Sequence, residues 1–120
     1  MRILHADDSE DVRDLLALVL ENRGHTVTQV TNGLELLQKL TDPSRFDMVV
    51  TDNDMPMMKG LDALVRMRND PATVNMPVVV LSADNIESRV LALDATYVDK
   101  SAGNHDKLWA AIDRVTASIK

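Results

Sequence analysis

Short apolar runs alternate along this chain with stretches whose apolar residues recur at helical spacing, and this alternation limits the fold more than any other feature. The runs predict strands over residues 3–6, 26–30, 48–51, 78–81 and 96–99. The fourth run is apolar throughout, as in strands buried on both faces. Strands that alternate with helices pair in parallel through right-handed crossovers. The sequence therefore predicts an α/β fold of five strands and five helices, with helices on both faces of a parallel sheet.

Several side chains are predicted to support this fold rather than to carry chemistry. Ser9 is placed to cap the first helix, and Gly24 is placed to end it in a left-handed conformation. The methionines of the segment Met55-Pro56-Met57-Met58 are expected to fill gaps in the core. His5 is expected to be a hydrogen-bonded strand histidine, and Trp109 to pack on the last helix.

The composition is that of one globular domain, which we expect to span residues 1–120. The 13 Lys and Arg residues against 19 Asp and Glu residues give a net charge of −6, and only Phe46, Tyr97 and Trp109 are aromatic. Direct nucleic-acid binding is therefore not expected, because it relies on clustered cations and stacking rings. The absence of cysteine excludes a disulfide framework, a cysteine-based zinc site and a thiol nucleophile.

No part of the sequence predicts a membrane segment. No stretch approaches the roughly 20 apolar residues that cross a bilayer. His5, Asp7 and Asp8 interrupt the first apolar stretch before the core of a signal peptide could form. We therefore expect a cytoplasmic protein that does not bind membranes.

Polar residues end four of the five predicted strands. They are Asp7 and Asp8 after the first, Asp52 after the third, Ser82 after the fourth and Lys100 after the fifth. The carboxyl ends of parallel strands share one edge of the sheet, where ligands bind in such folds. Carboxylates gathered there repel by about 4 kcal/mol for each pair at roughly 4 Å, so a cation is required. Lys100 and a hard divalent ion such as Mg²⁺ are the candidates.

An ionised carboxylate beside such cations can also act as a nucleophile. Aspartate nucleophiles attack phosphorus to form acyl phosphates. A metal ion, Lys100 and the Ser82 hydroxyl would then share the charge of the incoming phosphoryl group. The spacing of His5, His25 and His105 does not predict a zinc site.

The residues of this edge resemble the receiver domain of two-component response regulators, and the resemblance covers the whole chain. The segment from Asp52 to Gly60 resembles the family pattern Asp-x-x-Met-Pro-x-x-x-Gly. The Asp7-Asp8 pair, the Leu81-Ser82-Ala83 segment and the Tyr97-x-x-Lys100 spacing add to it. The resemblance implies a flavodoxin-like doubly wound (βα)5 fold with strand order 2-1-3-4-5.

The resemblance also implies a role for each matching residue. Asp52 would accept a phosphoryl group, and Mg²⁺ or Mn²⁺ would be held by Asp8, Asp52, the backbone carbonyl of Asp54 and, through water, Asp7. Contact with the phosphoryl oxygens would come from Lys100 and Ser82, and the switch would consist of Ser82 and Tyr97. The rate of dephosphorylation would be tuned by Asp54 and Asp84.

Three features depart from the family pattern. Lys100-Ser101 replaces a Lys-Pro pair with a cis bond, and a cis bond before a residue other than proline costs roughly 3 kcal/mol. Asp94-Ala95 replaces Gly-Ala, which removes a residue that tolerates positive φ. The stretch between Ser82 and Tyr97 is shorter than usual by roughly one helical turn.

By this resemblance, the phosphoryl donor is a sensor histidine kinase or a histidine phosphotransfer protein. A downstream protein target is expected at the face formed by helix 4, strand 5 and helix 5, and the chain is not expected to be an enzyme beyond its own phosphorylation and slow dephosphorylation. We expect the 120 residues to leave no room for an output domain, so the signal is expected to leave through contacts with other proteins.

Two other functions remain open at this point. One is an interaction module that does not depend on phosphorylation, suggested by the altered 94–101 region. The other is a haloacid-dehalogenase-like phosphatase, with Asp52 as nucleophile and Asp54 as acid. The second is weaker, since that pair follows an early strand in those enzymes and the chain has no spare length for a cap.

Overall fold

The computed structural model describes residues 1–100 and 105–119, and it confirms the predicted alternation of strands and helices. The strands are β1 (Arg2–Ala6), β2 (Thr26–Val30), β3 (Met48–Asp52), β4 (Val78–Ser82) and β5 (Thr96–Asp99). The α-helices are α1 (Glu10–Asn22), α2 (Gly33–Lys39), α3 (Gly60–Arg68), α4 (Glu87–Ala92) and α5 (Asp106–Ile119), and a 3-10 turn covers Pro43–Arg45. Among the described residues, no helix has the length and apolar character needed to cross a bilayer.

All neighbouring strands are parallel, and their order is β2-β1-β3-β4-β5. The predicted fold and strand order are therefore confirmed. Alternate residues of each strand face opposite sides of the sheet, which produces two separate cores. One core joins Leu4 and Val49 to α2, α3 and α4, and the other joins Ile3 and Val50 to α1 and α5.

The ends of the helices follow local side-chain chemistry. Ser9 caps α1 as predicted, because its Oγ accepts a hydrogen bond from the Val12 N–H at 3.3 Å. Gly24 has a φ of 91°, which confirms the predicted left-handed residue after this helix. Asn32 caps α2 by accepting from the Glu35 N–H at 2.9 Å. These caps fix where each helix begins relative to the carboxyl edge of the sheet.

Helix α4 has only six residues, and a side chain from α3 holds its end. The Arg68 guanidinium donates to the backbone carbonyls of Leu93 at 2.7 Å and of Asp94 and Thr73, each at 3.2 Å. Asp94 stands where the family usually has glycine, and it adopts a φ of 54°. This position therefore takes the left-handed conformation that glycine tolerates. Arg68 therefore joins the ends of α3 and α4 through one planar group.

The prediction for His5 is wrong in one respect. It lies fully buried in β1, but neither ring nitrogen has a hydrogen-bond partner among the described residues. Burial, with a smaller contribution from the charge of Arg13, lowers its pKa to about 4. The ring is therefore neutral in the folded chain at neutral pH.

This buried histidine should make the fold less stable in mild acid. Between roughly pH 6.5 and pH 4, His5 binds a proton in the unfolded chain but stays neutral in the folded chain. The free energy of unfolding therefore falls as the pH falls. The loss from this residue alone is about 2 kcal/mol between pH 7 and pH 5, given its pKa of about 4. His5→Leu should remove that loss. Urea unfolding at both pH values checks it, and an equal loss in the variant and the wild type would contradict it.

Candidate functional site

Three carboxylates meet at the carboxyl edge of the sheet, as the sequence predicts. Asp7 and Asp8 follow β1, Asp52 ends β3, and one oxygen from each side chain lies within 4.8 Å of the other two. Asp7 and Asp52 are each only 2% exposed, while Asp8 is exposed. The cluster is open to solvent on one side and buried on the other. It has the donor chemistry that hard divalent cations prefer.

The two oxygens of Asp52 have different surroundings. Oδ1 accepts from the Asn53 N–H at 2.9 Å and from Lys100 Nζ at 3.1 Å. Oδ2 accepts no hydrogen bond from the described residues, which makes it the freer atom. Burial raises the pKa of Asp52, the hydrogen bond from Lys100 opposes this, and the charge of Asp7 adds to it. The net result is a raised pKa for Asp52. A cation bound beside this carboxylate would counteract the rise, because a nearby positive charge favours the ionised form.

Asp7 has one satisfied and one unsatisfied oxygen. Its Oδ1 accepts from the Ser9 N–H at 2.9 Å, whereas Oδ2 is buried and has no partner among the described residues. Burial is the main reason that the pKa of Asp7 is raised. An acceptor buried without a donor is costly, and a cation or its bound water would satisfy it. The carboxylate set therefore fits a divalent cation.

Lys100 reaches this cluster from the end of β5. Its ammonium pairs with Asp52 at 3.1 Å, while 41% of the side chain stays exposed. Burial lowers the pKa of Lys100, but its hydrogen bond to Asp52 and the charges of Asp52, Asp7 and Asp54 outweigh this, so the pKa is raised overall. Lys100 is a fixed positive charge beside the carboxylate.

Arg13 is a site residue that the sequence reasoning missed. From α1, its Nη1 donates to the backbone carbonyl of Asp7 at 2.8 Å, which holds the segment that carries the first two acids. Its charge also lowers the pKa of Asp7, although less than burial raises it. No spacing in the sequence singles it out, because its contact depends on how α1 is rotated against the sheet.

The segment between β3 and α3 is held tightly at both ends. A Cβ on Gly60 would overlap the backbone carbonyl oxygen of Asp52, so only glycine fits there. Lys59 precedes α3 without capping it, and Asn53 supplies the cap instead, with its Oδ1 accepting from the Leu61 N–H at 2.9 Å. Asn53 was not singled out from the sequence. It ties the residue after Asp52 to the first turn of α3.

Met57, in the same segment, does not fill the core, so this part of the methionine prediction is wrong. Met55 is 7% exposed and Met58 packs partly against the core, whereas Met57 is 78% exposed. Its φ is 69°, a left-handed conformation that costs roughly 1–2 kcal/mol for a residue with a side chain. Its Sδ lies 3.7 Å from Nδ2 of Asn32.

Ser82 and Tyr97 form a connected group at the end of β4. The Ser82 Oγ accepts from the Asp84 N–H at 2.9 Å. The Tyr97 hydroxyl lies 2.9 Å from the carbonyl of Ser82 and 2.8 Å from that of Asp84, so one proton serves two acceptors. Burial, followed by the charges of nearby acids, raises the pKa of Tyr97, which keeps the hydroxyl protonated. Tyr97 thereby holds the segment after β4 in place.

The structure thus brings Asp7, Asp8, Asp52 and Lys100 together. Ser82 lies one residue beyond Leu81, the register partner of Asp52, on the neighbouring strand. Asp54, Asp84 and Ala83 are exposed beside this edge. The Lys100-Ser101 peptide, whose cis or trans state the sequence leaves open, lies outside the described residues.

The fold and its acidic edge define a doubly wound α/β domain with a candidate cation site. A sequence model of the family described as "Response regulator receiver domain" matches residues 3–113. The chain belongs to this family and is a receiver domain of two-component systems.

Curated relatives agree with this assignment. The chain is 31% identical over 97% of its length to the gliding motility regulatory protein of Myxococcus xanthus, and 34% identical over 94% to the autoinducer sensor kinase/phosphatase CqsS of Vibrio cholerae. It spans only 15% and 16% of the length of those two proteins. It is also 32% identical to the rice two-component response regulator ORR13, with 73% of each chain covered.

Solved structures of response regulators share the fold. The response regulator TrrA of Thermotoga maritima, in complex with Mg²⁺ and BeF, superposes with a TM-score of 0.82 at 29% identity, covering 95% of this chain and 97% of that one. A structure of the histidine kinase ThkA in complex with TrrA gives a TM-score of 0.80 at 29% identity, with the same coverage.

Proposed function

We propose that Asp52 is the phosphoacceptor of this receiver domain. Its Oδ2 would attack the phosphorus of a phosphohistidine, forming the P–O bond of an acyl phosphate while the P–N bond breaks and the imidazole leaves with a proton. The observation that carries this proposal is the asymmetry of the carboxylate. Asn53 and Lys100 both bind Oδ1, which leaves Oδ2 without a hydrogen bond from the described residues, in a carboxylate that lies beside two other acids.

A divalent cation, Mg²⁺ or Mn²⁺, fits the carboxylate set. We assign its binding to Asp8, Asp52, the backbone carbonyl of Asp54 and, through water, Asp7. The unpartnered buried oxygen of Asp7 supports this assignment. When bound, the ion would supply charge stabilisation to the phosphoryl oxygens. Arg13 would hold Asp7 in place through its backbone carbonyl.

Lys100 and Ser82 would contact the phosphoryl group from the other strands. Lys100 is already paired with Asp52, so its charge is in position before transfer. To donate its O–H to a phosphoryl oxygen, the Ser82 side chain would rotate and give up the hydrogen bond that it accepts from the Asp84 N–H. The segment after β4 would then be held only by its other contacts, which include those of Tyr97, so these two residues form the proposed switch. Asp54 and Asp84 are exposed near the site and would tune the access of water.

The proposed donor is a sensor histidine kinase or a histidine phosphotransfer protein, in agreement with the complex of ThkA and TrrA. The proposed output is altered binding of a protein target at the face of α4, β5 and α5. The segment after β4 ends at α4 and is bonded to Tyr97 of β5, which connects the site to that face. This role requires no enzyme activity beyond the domain's own phosphorylation and slow dephosphorylation, and it suits a cytoplasmic domain spanning residues 1–120.

Labelling with acetyl phosphate tests the proposal. With Mg²⁺ present, the chain should gain the mass of one phosphoryl group, hydroxylamine should remove it, and peptide mapping should place it on Asp52. Chelation of the metal before the donor is added should prevent the gain. A label on another residue, or one that forms equally well with a chelator, would refute the assignment.

A further inference from the structure

Met57 combines three features that phosphoryl transfer at Asp52 does not use. Its side chain is 78% exposed, more than any other large apolar side chain in the described part of the chain. Its backbone is left-handed, with a φ of 69°. Its thioether sulfur lies 3.7 Å from the amide nitrogen of Asn32, in the segment before α2. Residues held in such rare conformations cluster at functional sites.

Met57 is the most exposed methionine among the described residues, so it is the one that a soluble oxidant meets most readily. Three methionines are buried, namely Met48, Met55 and Met67. Three others are partly buried, namely Met1, Met58 and Met76. Because oxidation of a thioether requires direct contact between the sulfur and the oxidant, exposure decides which methionine reacts first.

The amide of Asn32 is fixed by its capping role. Its Oδ1 accepts from the Glu35 N–H at 2.9 Å, so Nδ2 must point the other way, toward Met57 and the Thr31 hydroxyl. Asn32 is only 6% exposed, so water competes poorly for this donor. A thioether sulfur is a weak acceptor, whereas the oxygen of a sulfoxide is strongly polar. Oxidation would therefore give this fixed donor a better partner.

We propose that Met57 is a peroxide-sensitive modification site whose sulfoxide oxygen is held by the Asn32 amide. A lone pair of the sulfur attacks one oxygen of hydrogen peroxide, the S–O bond forms as the O–O bond breaks, and the departing hydroxide takes the proton of the new S–O–H group and leaves as water. The sulfur is oxidised by two electrons and the peroxide is reduced. Oxidation would thus fasten the segment between β3 and α3 to the start of α2, and methionine sulfoxide reductases could reverse it.

This proposal goes beyond the proposed function and does not depend on it. The reaction involves neither Asp52 nor a metal ion. A failure of phosphoryl labelling would leave it unaffected.

The first test is selectivity. The full chain is treated with limiting hydrogen peroxide, and oxygen uptake is followed by peptide mass spectrometry. Met57 should be oxidised several-fold faster than Met58 and Met76. The proposal is overturned if either of those methionines reacts as fast as Met57.

The second test measures whether Asn32 holds the sulfoxide. Hydrogen exchange is compared before and after oxidation in the wild type, Met57→Leu and Asn32→Ser, since serine keeps a capping oxygen for α2 but loses the amide donor. Oxidation should slow exchange in residues 55–60 of the wild type alone. No slowing there, or equal slowing in Asn32→Ser, would overturn the proposal. Slowing in Met57→Leu would do so as well, because it would place the effect at another residue.

Discussion

Asp52→Asn is expected to accept no phosphoryl group from acetyl phosphate at any Mg²⁺ concentration. The amide of asparagine lacks the ionised oxygen that would attack phosphorus, and no other acid of the site is paired in the same way with Lys100. Intact mass spectrometry before and after treatment measures the outcome. Asp62→Asn is the matched control, because it removes the same charge from an exposed residue of α3 that has no assigned role in the site, and it should still be labelled.

The same substitution should stabilise the fold at neutral pH. Burial and the charge of Asp7 raise the pKa of Asp52, so its ionised form costs stability at pH values above that pKa. Asp52→Asn should therefore unfold at a higher temperature than the wild type at neutral pH without metal. The difference should shrink as the pH falls and Asp52 takes up a proton. A variant less stable than the wild type at neutral pH would contradict this expectation.

Asp52→Asn also separates the switch from a module that works without phosphorylation. A partner that binds the wild type more tightly only after phosphorylation, and never responds with the variant, would support the switch. A partner that binds both forms equally, with and without acetyl phosphate, would support the phosphorylation-independent module.

Lys100→Met is expected to slow phosphorylation of Asp52 by roughly 10²- to 10³-fold, the usual cost of removing one positioned donor from developing negative charge. Methionine keeps much of the length and apolar stem but removes the ammonium that lies 3.1 Å from Asp52. The rate of acetyl phosphate labelling at fixed Mg²⁺ measures the loss. Lys107→Met is the control, because Lys107 is an exposed lysine on α5.

The pH dependence of labelling should change as well. The hydrogen bond from Lys100 lowers the pKa of Asp52, so its removal should raise that pKa further. In both proteins the rate should fall as the pH falls, because the nucleophile becomes protonated. In Lys100→Met that fall should begin at a higher pH. An unchanged rate together with an unchanged pH profile would show that Lys100 has no part in the transfer.

The fold and the acidic edge were predictable because both follow from the periodicity of the chain. Once alternation gives parallel strands, the acids that end β1 and β3 must meet at one edge, as Asp7 and Asp52 do. The bond from Arg13 to the carbonyl of Asp7 was not predictable in this way. It depends on how α1 is rotated against the sheet, which spacing alone does not fix.

Met57 and His5 show a second limit of sequence reasoning. Both residue types are usually satisfied by packing or by a hydrogen bond, and the expectations for them followed that tendency. The conformation of the segment after β3 instead turns Met57 outward with a φ of 69°. The dense core around β1 leaves the ring of His5 without a hydrogen-bond partner among the described residues. In both cases tertiary packing decides the outcome.

The bonds from Arg68 to the carbonyls of Leu93, Asp94 and Thr73 have a mechanical consequence. They hold the C-terminal end of α4, which lies farther from Ser82 along the chain, in a fixed position. A displacement that begins at Ser82 would swing the first turn of α4 and leave its last turn in place. A partner on this helix would therefore sense a change of tilt rather than a translation.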